Sequence, residues 1–299
     1  MKVLISGGSG LIGREISSLL NFQGHEVHRL VRDPAKASPG DVFWRPSSAL
    51  DASQLAEFDA IVHLAGRPVA TLWTEKAKTE IRRSRVDGTT TIAQAAAQAF
   101  LRSGRPRTLI CSSAIGYYGS RGDEELTEDS EAGLGFLAAV CADWEHAAQP
   151  AAMAGVRVAH MRTALVLSTK GGALAQMLPA FRFGFAGRIG SGRQWWSWVS
   201  LADAAAAFVF ALENAQVHGA VNLATPNAVR NAEFTRTLGR VLHRPTFFAV
   251  PVFALRAIAG EMAEEMLLTS QRVIPTRLLK AGFRFEDVEL EPMLRKSLP

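Results

Sequence analysis

The strongest constraint on this chain lies at its start, where the apolar run Val3-Leu4-Ile5 leads at once into Gly7-Gly8-Ser9-Gly10-Leu11-Ile12-Gly13. A short apolar run closed by glycines reads as a buried strand, and the residues from 11 to 22 have helical spacing. The glycines fit Gly8-x-Gly10-x-x-Gly13 and Gly7-x-x-Gly10-x-x-Gly13 together. Between a strand and a helix, the early glycines permit a tight turn and a close backbone approach, and the last lets helix and strand pack closely. The helix N-terminus then offers free N–H groups and the positive end of its dipole to a pyrophosphate. At this place in the chain the pattern predicts a dinucleotide-binding turn made of Gly7, Gly8, Ser9, Gly10, Leu11, Ile12 and Gly13.

Alternation follows. Residues 25–31, 59–64, 108–113 and 156–161 read as strands, and 74–101 and 134–153 as helices. Strands alternating with helices imply a parallel sheet covered on both faces. The fold class is α/β, a doubly wound Rossmann sheet with a smaller C-terminal α/β lobe. After about residue 165 glycines punctuate a loop-rich stretch. Residues 201–212 then read as a helix, 220–223 as a strand, and Asn231 as the cap of a helix over 232–242. The expected division is a Rossmann domain over 1–165, completed by about 195–225, with 166–194 and 226–299 forming the substrate lobe.

The net charge of +5 comes without a long basic run or a basic stretch interleaved with aromatics, so no nucleic-acid partner is expected. Cys111 and Cys141 make neither a disulfide scaffold nor a metal site. Met1 to Ser6 runs into the first strand without a cleavable signal pattern, and no apolar run is long enough to span a bilayer. A cytoplasmic protein with a small-molecule substrate and no membrane partner is expected. A homodimer stays open.

The end of the second strand discriminates between cofactors. NAD wants an acidic residue there for the ribose 2′-hydroxyl, whereas a guanidinium suits a 2′-phosphate. Arg32 stands at that place and Asp33 one position later. The arginine favours NADP(H); a solvated surface arginine is the alternative. Leu64-Ala65-Gly66 ends a strand with small residues that let the backbone run beside a ribose, or simply pack. His63 reads as structural.

The turn, His63-Leu64-Ala65-Gly66, Arg85-Val86-Asp87-Gly88-Thr89 and Ser112-Ser113-Ala114-Ile115-Gly116-Tyr117-Tyr118-Gly119 together resemble the extended short-chain dehydrogenases/reductases, the NAD-dependent epimerase/dehydratase superfamily. Gly190-Ser191-Gly192-Arg193-Gln194-Trp195, Asn231-Ala232-Glu233-Phe234 and Gln271-Arg272-Val273-Ile274-Pro275 resemble its atypical YfcH-like branch, some of whose members bear the label SulA-like cell division inhibitor. The resemblance implies NADPH as cofactor. It also implies cofactor contacts at the turn, at Arg32, at Leu64, Ala65 and Gly66, near Arg85, and at Val166 beside the nicotinamide. Glu80 would orient Arg85 or touch a ribose.

The same resemblance calls for a Tyr-x-x-x-Lys pair, in which the lysine lowers the tyrosine pKa and the tyrosine moves a proton. Leu137 and Cys141 occupy those positions. Tyr117 and Tyr118, the only tyrosines, are the replacement acids on offer, with Ser113 as a hydrogen-bond partner; otherwise both rings wall the pocket. Trp195, Trp196 and Trp198 line the cleft or form a core cluster, Asp203 caps a helix, and Arg162 meets an anionic substrate or pairs with an acid. Two functions stay open: an NADP(H)-dependent oxidoreductase acting on a small carbonyl or hydroxyl compound, and a non-catalytic NADP(H)-binding sensor or regulator. No residue argues for a role in cell division.

Overall fold

The computed structural model describes residues 1–46 and 48–298. In chain order its elements begin with β1 (Lys2–Ser6), α1 (Leu11–Phe22), β2 (Glu26–Val31), β3 (Val42–Phe43), β4 (Ala60–His63), α2 (Glu75–Ser103) and β5 (Thr108–Ala114). There follow β6 (Glu125–Leu126), α3 (Phe136–His146), α4 (Gln149–Met153), β7 (Arg157–Thr163), β8 (Leu165–Leu167), α5 (Gly172–Arg182), β9 (Arg188–Ile189), β10 (Trp195–Trp196) and β11 (Trp198–Ser200). The rest comprises α6 (Leu201–Glu213), β12 (Gly219–Leu223), β13 (Val229–Arg230), α7 (Asn231–Val241), β14 (Ala249–Val250), α8 (Val252–Ala259), α9 (Glu261–Ala263), β15 (Arg272–Val273), α10 (Thr276–Lys280) and α11 (Leu290–Ser297).

A seven-stranded sheet in the order β12-β7-β5-β4-β1-β2-β3 forms the centre. Every pairing in it is parallel. Alternation along β1 explains why helices cover both faces. Val3 and Ile5 pack with Ile16 and Leu20 of α1 and Phe208 of α6. Leu4 packs on the other side with Ile92 and Ala96 of α2. β1 pairs with β2 on one side and β4 on the other, so the chain order reverses between β1 and β4. That switch point is where such sheets open a crevice at their C-terminal ends.

A third core, with Leu174, Phe181, Trp198, Phe234 and Leu294, builds the C-terminal lobe. Two-stranded ribbons tie it down, with β11 on β8 and β15 on β6. No helix among the described residues is long and apolar enough to cross a membrane.

Three local expectations are corrected. The helix foreseen over 134–153 is two, α3 and α4, because Pro150 near the start of α4 cannot donate to the preceding turn. Asn231 does not cap α7; its Oδ1 accepts from the Ile189 amide at 2.8 Å. Ser200, not Asp203, caps α6, while the Asp203 carboxylate accepts from the Glu286 and Asp287 amides, each at 2.9 Å.

Candidate functional site

The glycine turn closes only because side chains are missing from it. Gly7 has φ +71°, and a Cβ there would lie 2.9 Å from the Leu64 carbonyl carbon and the Ala65 nitrogen. A Cβ on Gly13 would lie 2.4 Å from the Gly7 oxygen. Gly10 caps α1 without a side-chain hydrogen bond, and the first turn of α1 holds no acidic residue. The leading amides of α1, flanked by Ser9, Leu11 and Ile12, therefore face the cradle with the helix dipole behind them and no protein anion before them. A diphosphate fits that cradle.

The end of β4 is fastened to the turn. The Ser6 hydroxyl accepts from the Leu64 and Ala65 amides at 3.1 and 3.3 Å and lies 2.5 Å from His63 Nδ1. His63 is fully buried, and burial pushes its pKa down to about 4, so the ring is neutral and structural. On the other flank, a Cβ on Gly172 would lie 3.4 Å from Leu11 and 3.7 Å from the Val166 oxygen. The turn thus gathers Leu64, Ala65 and Val166 into one corner.

Arg32 stands exposed just past β2, with no side-chain partner among the described residues. Asp33 is turned away to cap the short turn over Pro34–Lys36, accepting from the Ala35 amide at 3.1 Å. Two further arginines, not foreseen from the sequence, stand at this rim. Arg14 donates to the Ser9 carbonyl at 2.6 Å, and its place in the first turn of α1 was the available signal. The Arg29 stem lies 3.5 Å from the Cβ position of Gly8, and its guanidinium grips Asp41 at 2.6 and 3.0 Å.

Arg85 is half-buried and meets no carboxylate among the described residues. Its Nη1 donates to the Ile81 carbonyl at 3.1 Å, and its guanidinium carbon lies 5.0 Å from the Trp144 ring centroid. A Cβ on Gly66 would sit 3.4 Å from that carbon, so Gly66 leaves room for the cation. Glu80 pairs with Arg67 at 2.7 Å, which corrects the alternative that it orients Arg85 and leaves the ribose contact as an expectation.

At the other end of the crevice the polar side chains are mostly closed on one another. Tyr118 is fully buried. Its hydroxyl donates to Asn222 Oδ1 at 2.6 Å and accepts from Arg162 at 2.9 Å, and burial raises its pKa to about 12. That removes it as a proton donor to a ligand. The Ser113 hydroxyl donates to Glu145 at 2.7 Å. Arg162 is 4% exposed and holds Glu145 through two bonds of 2.8 and 2.9 Å, so it pairs with an acid and does not reach a substrate. Tyr117 differs: its ring lies 3.5 Å from the Arg162 guanidinium, and its hydroxyl has no partner among the described residues.

A cleft of about 770 Å³ in the C-terminal lobe is lined by Asp123, Ser191, Arg193, Gln194, Arg230 and Arg236, and by none of the side chains of this cluster. Trp195 borders it, donating to Asp123 at 3.1 Å under the stacked Arg230 guanidinium. Trp196 and Trp198 are buried in the lobe core. Gln271 Nε2 donates to the Ile115 and Gly119 carbonyls at 2.9 and 3.0 Å, clamping the segment that carries Tyr117 to the C-terminal lobe.

The model of the NAD dependent epimerase/dehydratase family matches residues 3–224. The chain belongs to the NAD-dependent epimerase/dehydratase family. A second model, a domain of unknown function, matches residues 250–297. An epimerase family protein of Mycobacterium bovis is 44% identical over 95% of this chain and 93% of its own. The crystal structure of the human epimerase family protein SDR39U1 with NADPH superposes with a TM-score of 0.87 at 33% identity, covering 99% of each chain. A structure described as a nucleoside-diphosphate sugar epimerase from Corynebacterium glutamicum gives 0.81 at 36% identity, covering 100% of this chain and 58% of that one. These matches support an atypical extended short-chain dehydrogenase/reductase and do not reach the narrower YfcH-like label.

Leu137 and Cys141, the residues expected from the sequence at the tyrosine and lysine positions, both lie against Gly116. Leu137 packs 3.3 Å from the Cβ position of Gly116. Cys141 is buried, and burial raises its thiol pKa to about 12. One residue here was not foreseen: Glu265, from the C-terminal lobe, accepts from the Phe136 and Leu137 amides, each at 2.7 Å, and so caps α3. Gly135 admits it, since a Cβ there would lie 2.7 Å from its carboxylate. No spacing rule ties residue 265 to residue 136, so the sequence held no signal for it.

Proposed function

We propose that this epimerase-family chain binds NADPH at the turn between β1 and α1 and reduces a carbonyl group of an anionic small molecule held in the cleft. The observation that carries this reading is the uncapped N-terminus of α1 inside a cradle that a Cβ on Gly13 would fill. The NADPH of the human relative's structure supports the choice of cofactor. Arg32, free and exposed, is the group for the 2′-phosphate. Arg85 is a half-buried cation without a carboxylate, and it takes the electrostatic place that Cys141 leaves empty. When bound, NADPH supplies the hydride. Tyr117 supplies the proton, because its hydroxyl is the one in its cluster not committed to protein. Arg193 and Arg236, exposed at the cleft and without side-chain partners among the described residues, draw in an anionic substrate.

The loss of tyrosine and lysine at 137 and 141 favours a second reading, a non-catalytic NADP(H)-binding sensor. Calorimetry with NADPH and NADH, followed by absorbance assays against aldehydes, ketones and quinones, separates the two. Arg32→Ala should weaken NADPH about tenfold or more and leave NADH nearly unchanged. Tyr117→Phe should lower turnover at least about a hundredfold. Tight NADPH binding with no turnover across the panel transfers the conclusion to the sensor. Absence of binding by either coenzyme ends both.

A further inference from the structure

The C-terminal lobe presents a surface that the site does not use. No residue of α8 is buried, although Arg256 is the only polar side chain on that helix. Phe253 and Ile258 of α8 are 75% and 77% exposed. Next to them Phe183, Phe185, Phe247 and Phe248 are all at least 68% exposed. The backbone joins these segments side by side. β9 pairs with β14, the Gly190 amide donates to the Val250 carbonyl at 3.0 Å, and Arg244 Nε donates to the Arg182 carbonyl at 2.7 Å. At roughly 200 Å² per phenylalanine, this patch exceeds the few hundred Å² that monomers ordinarily expose in one place.

The surrounding charge leans basic, with Glu261 and Glu264 directly after α8 as the nearby acidic residues in sequence. No Asp or Glu stands between Glu145 and Asp203, or between Glu233 and Glu261. Arg182, Arg188, Arg244 and Arg256 are exposed around the rings, and only Arg256 among them meets a carboxylate, that of Glu264. Apolar rings rimmed by guanidinium groups match the boundary of an anionic bilayer: rings enter the acyl region while arginines meet headgroup phosphates. A second copy suits the face less well, because a two-fold contact would set the same arginines against one another.

We propose that this face docks the C-terminal lobe peripherally on an anionic lipid surface. The sequence expectation of no membrane partner rested on the lack of a spanning run, and peripheral docking needs none. Val252 begins α8 and also lines the cleft, so a docked molecule holds its cleft at the lipid surface.

The test is flotation of the full chain with phosphatidylcholine vesicles, with and without a minor fraction of phosphatidylglycerol. The chain should float with the anionic vesicles and stay behind with the neutral ones. Phe185→Ser combined with Phe253→Ser should lower partitioning at least about tenfold, and Arg188→Gln about fivefold. Phe22→Ser, at the exposed C-terminal end of α1, should change nothing. NADPH affinity, measured on every variant, should stay constant, which certifies folding and keeps this result independent of the proposed chemistry. Equal partitioning of the double variant and the parent overturns the proposal. So does a dimer, seen by sedimentation, that the double variant dissolves while the parent ignores vesicles; that outcome gives the face to a second copy.

Discussion

The two ends of the crevice are built by different means. At the diphosphate end the working parts are amides, a helix dipole and missing side chains, all within residues 6–13 and the strand end beside them. At the other end the polar parts are side chains, and nearly all are spent on one another. Tyr118 is held by Asn222, 104 residues away, and the amide of Phe136 by Glu265, 129 residues away. A site made of backbone geometry is specified locally and stays open to a ligand. A site made of polar side chains is specified by distant partners, and those partners also close it.

The largest expected effect probes the closed end. Glu145→Ala leaves Arg162 buried without its carboxylate, which should cost about 3–5 kcal/mol in denaturant unfolding. NADPH affinity of the folded variant should barely move. A change confined to affinity, with stability intact, would break the contrast between the two ends.

Next comes pH. His63 has a pKa of about 4 in the folded chain against 6.5 for the free side chain. Below 6.5 the unfolded chain takes up the proton first, so stability falls as pH drops toward 4 and is fully regained above 6.5. The difference is on the order of 3 kcal/mol. His63→Asn should flatten that stretch of the stability profile; an unchanged slope would mean that other groups carry it.

Gly13→Ala probes the open end. Its Cβ would meet the Gly7 oxygen at 2.4 Å, so the turn must shift, at about 1–3 kcal/mol of stability and at least about tenfold in NADPH affinity. Parental affinity in this variant would show that the diphosphate lies elsewhere. The smallest pair sharpens the comparison between neighbouring tyrosines. Tyr118→Phe strands an acceptor on Asn222 and should cost about 1–3 kcal/mol. Tyr117→Phe should cost less than about 0.5 kcal/mol, since its hydroxyl has no partner among the described residues.

Much of the architecture was legible because periodicity is local. The residues from 11 to 22 read as a helix and form one, and the strands around 60, 110 and 160 fall within a residue or two of expectation. Short ribbons such as β11 on β8 were not legible, since two or three residues carry no period. At the site, Gly7, Gly10, Gly13 and Arg32 could be named because a turn and a strand end follow from residues next to one another. Ser113, Tyr118 and Glu80 could be named but not judged, because Glu145, Asn222 and Arg67 take up their hydrogen bonds and charge only after the chain has folded.

The glycine turn between the first strand and helix, with the alternation of strands and helices after it, was therefore enough to determine a doubly wound sheet with an anion cradle at its first crossover, because periodicity, dihedral freedom and the helix dipole belong to neighbouring residues. Which hydroxyl remains free, which arginine lacks a carboxylate, and which phenylalanines stay in the open were decided only by tertiary packing. Satisfaction of a polar group and burial of an apolar one depend on what the rest of the chain brings alongside, and sequence distance does not encode that.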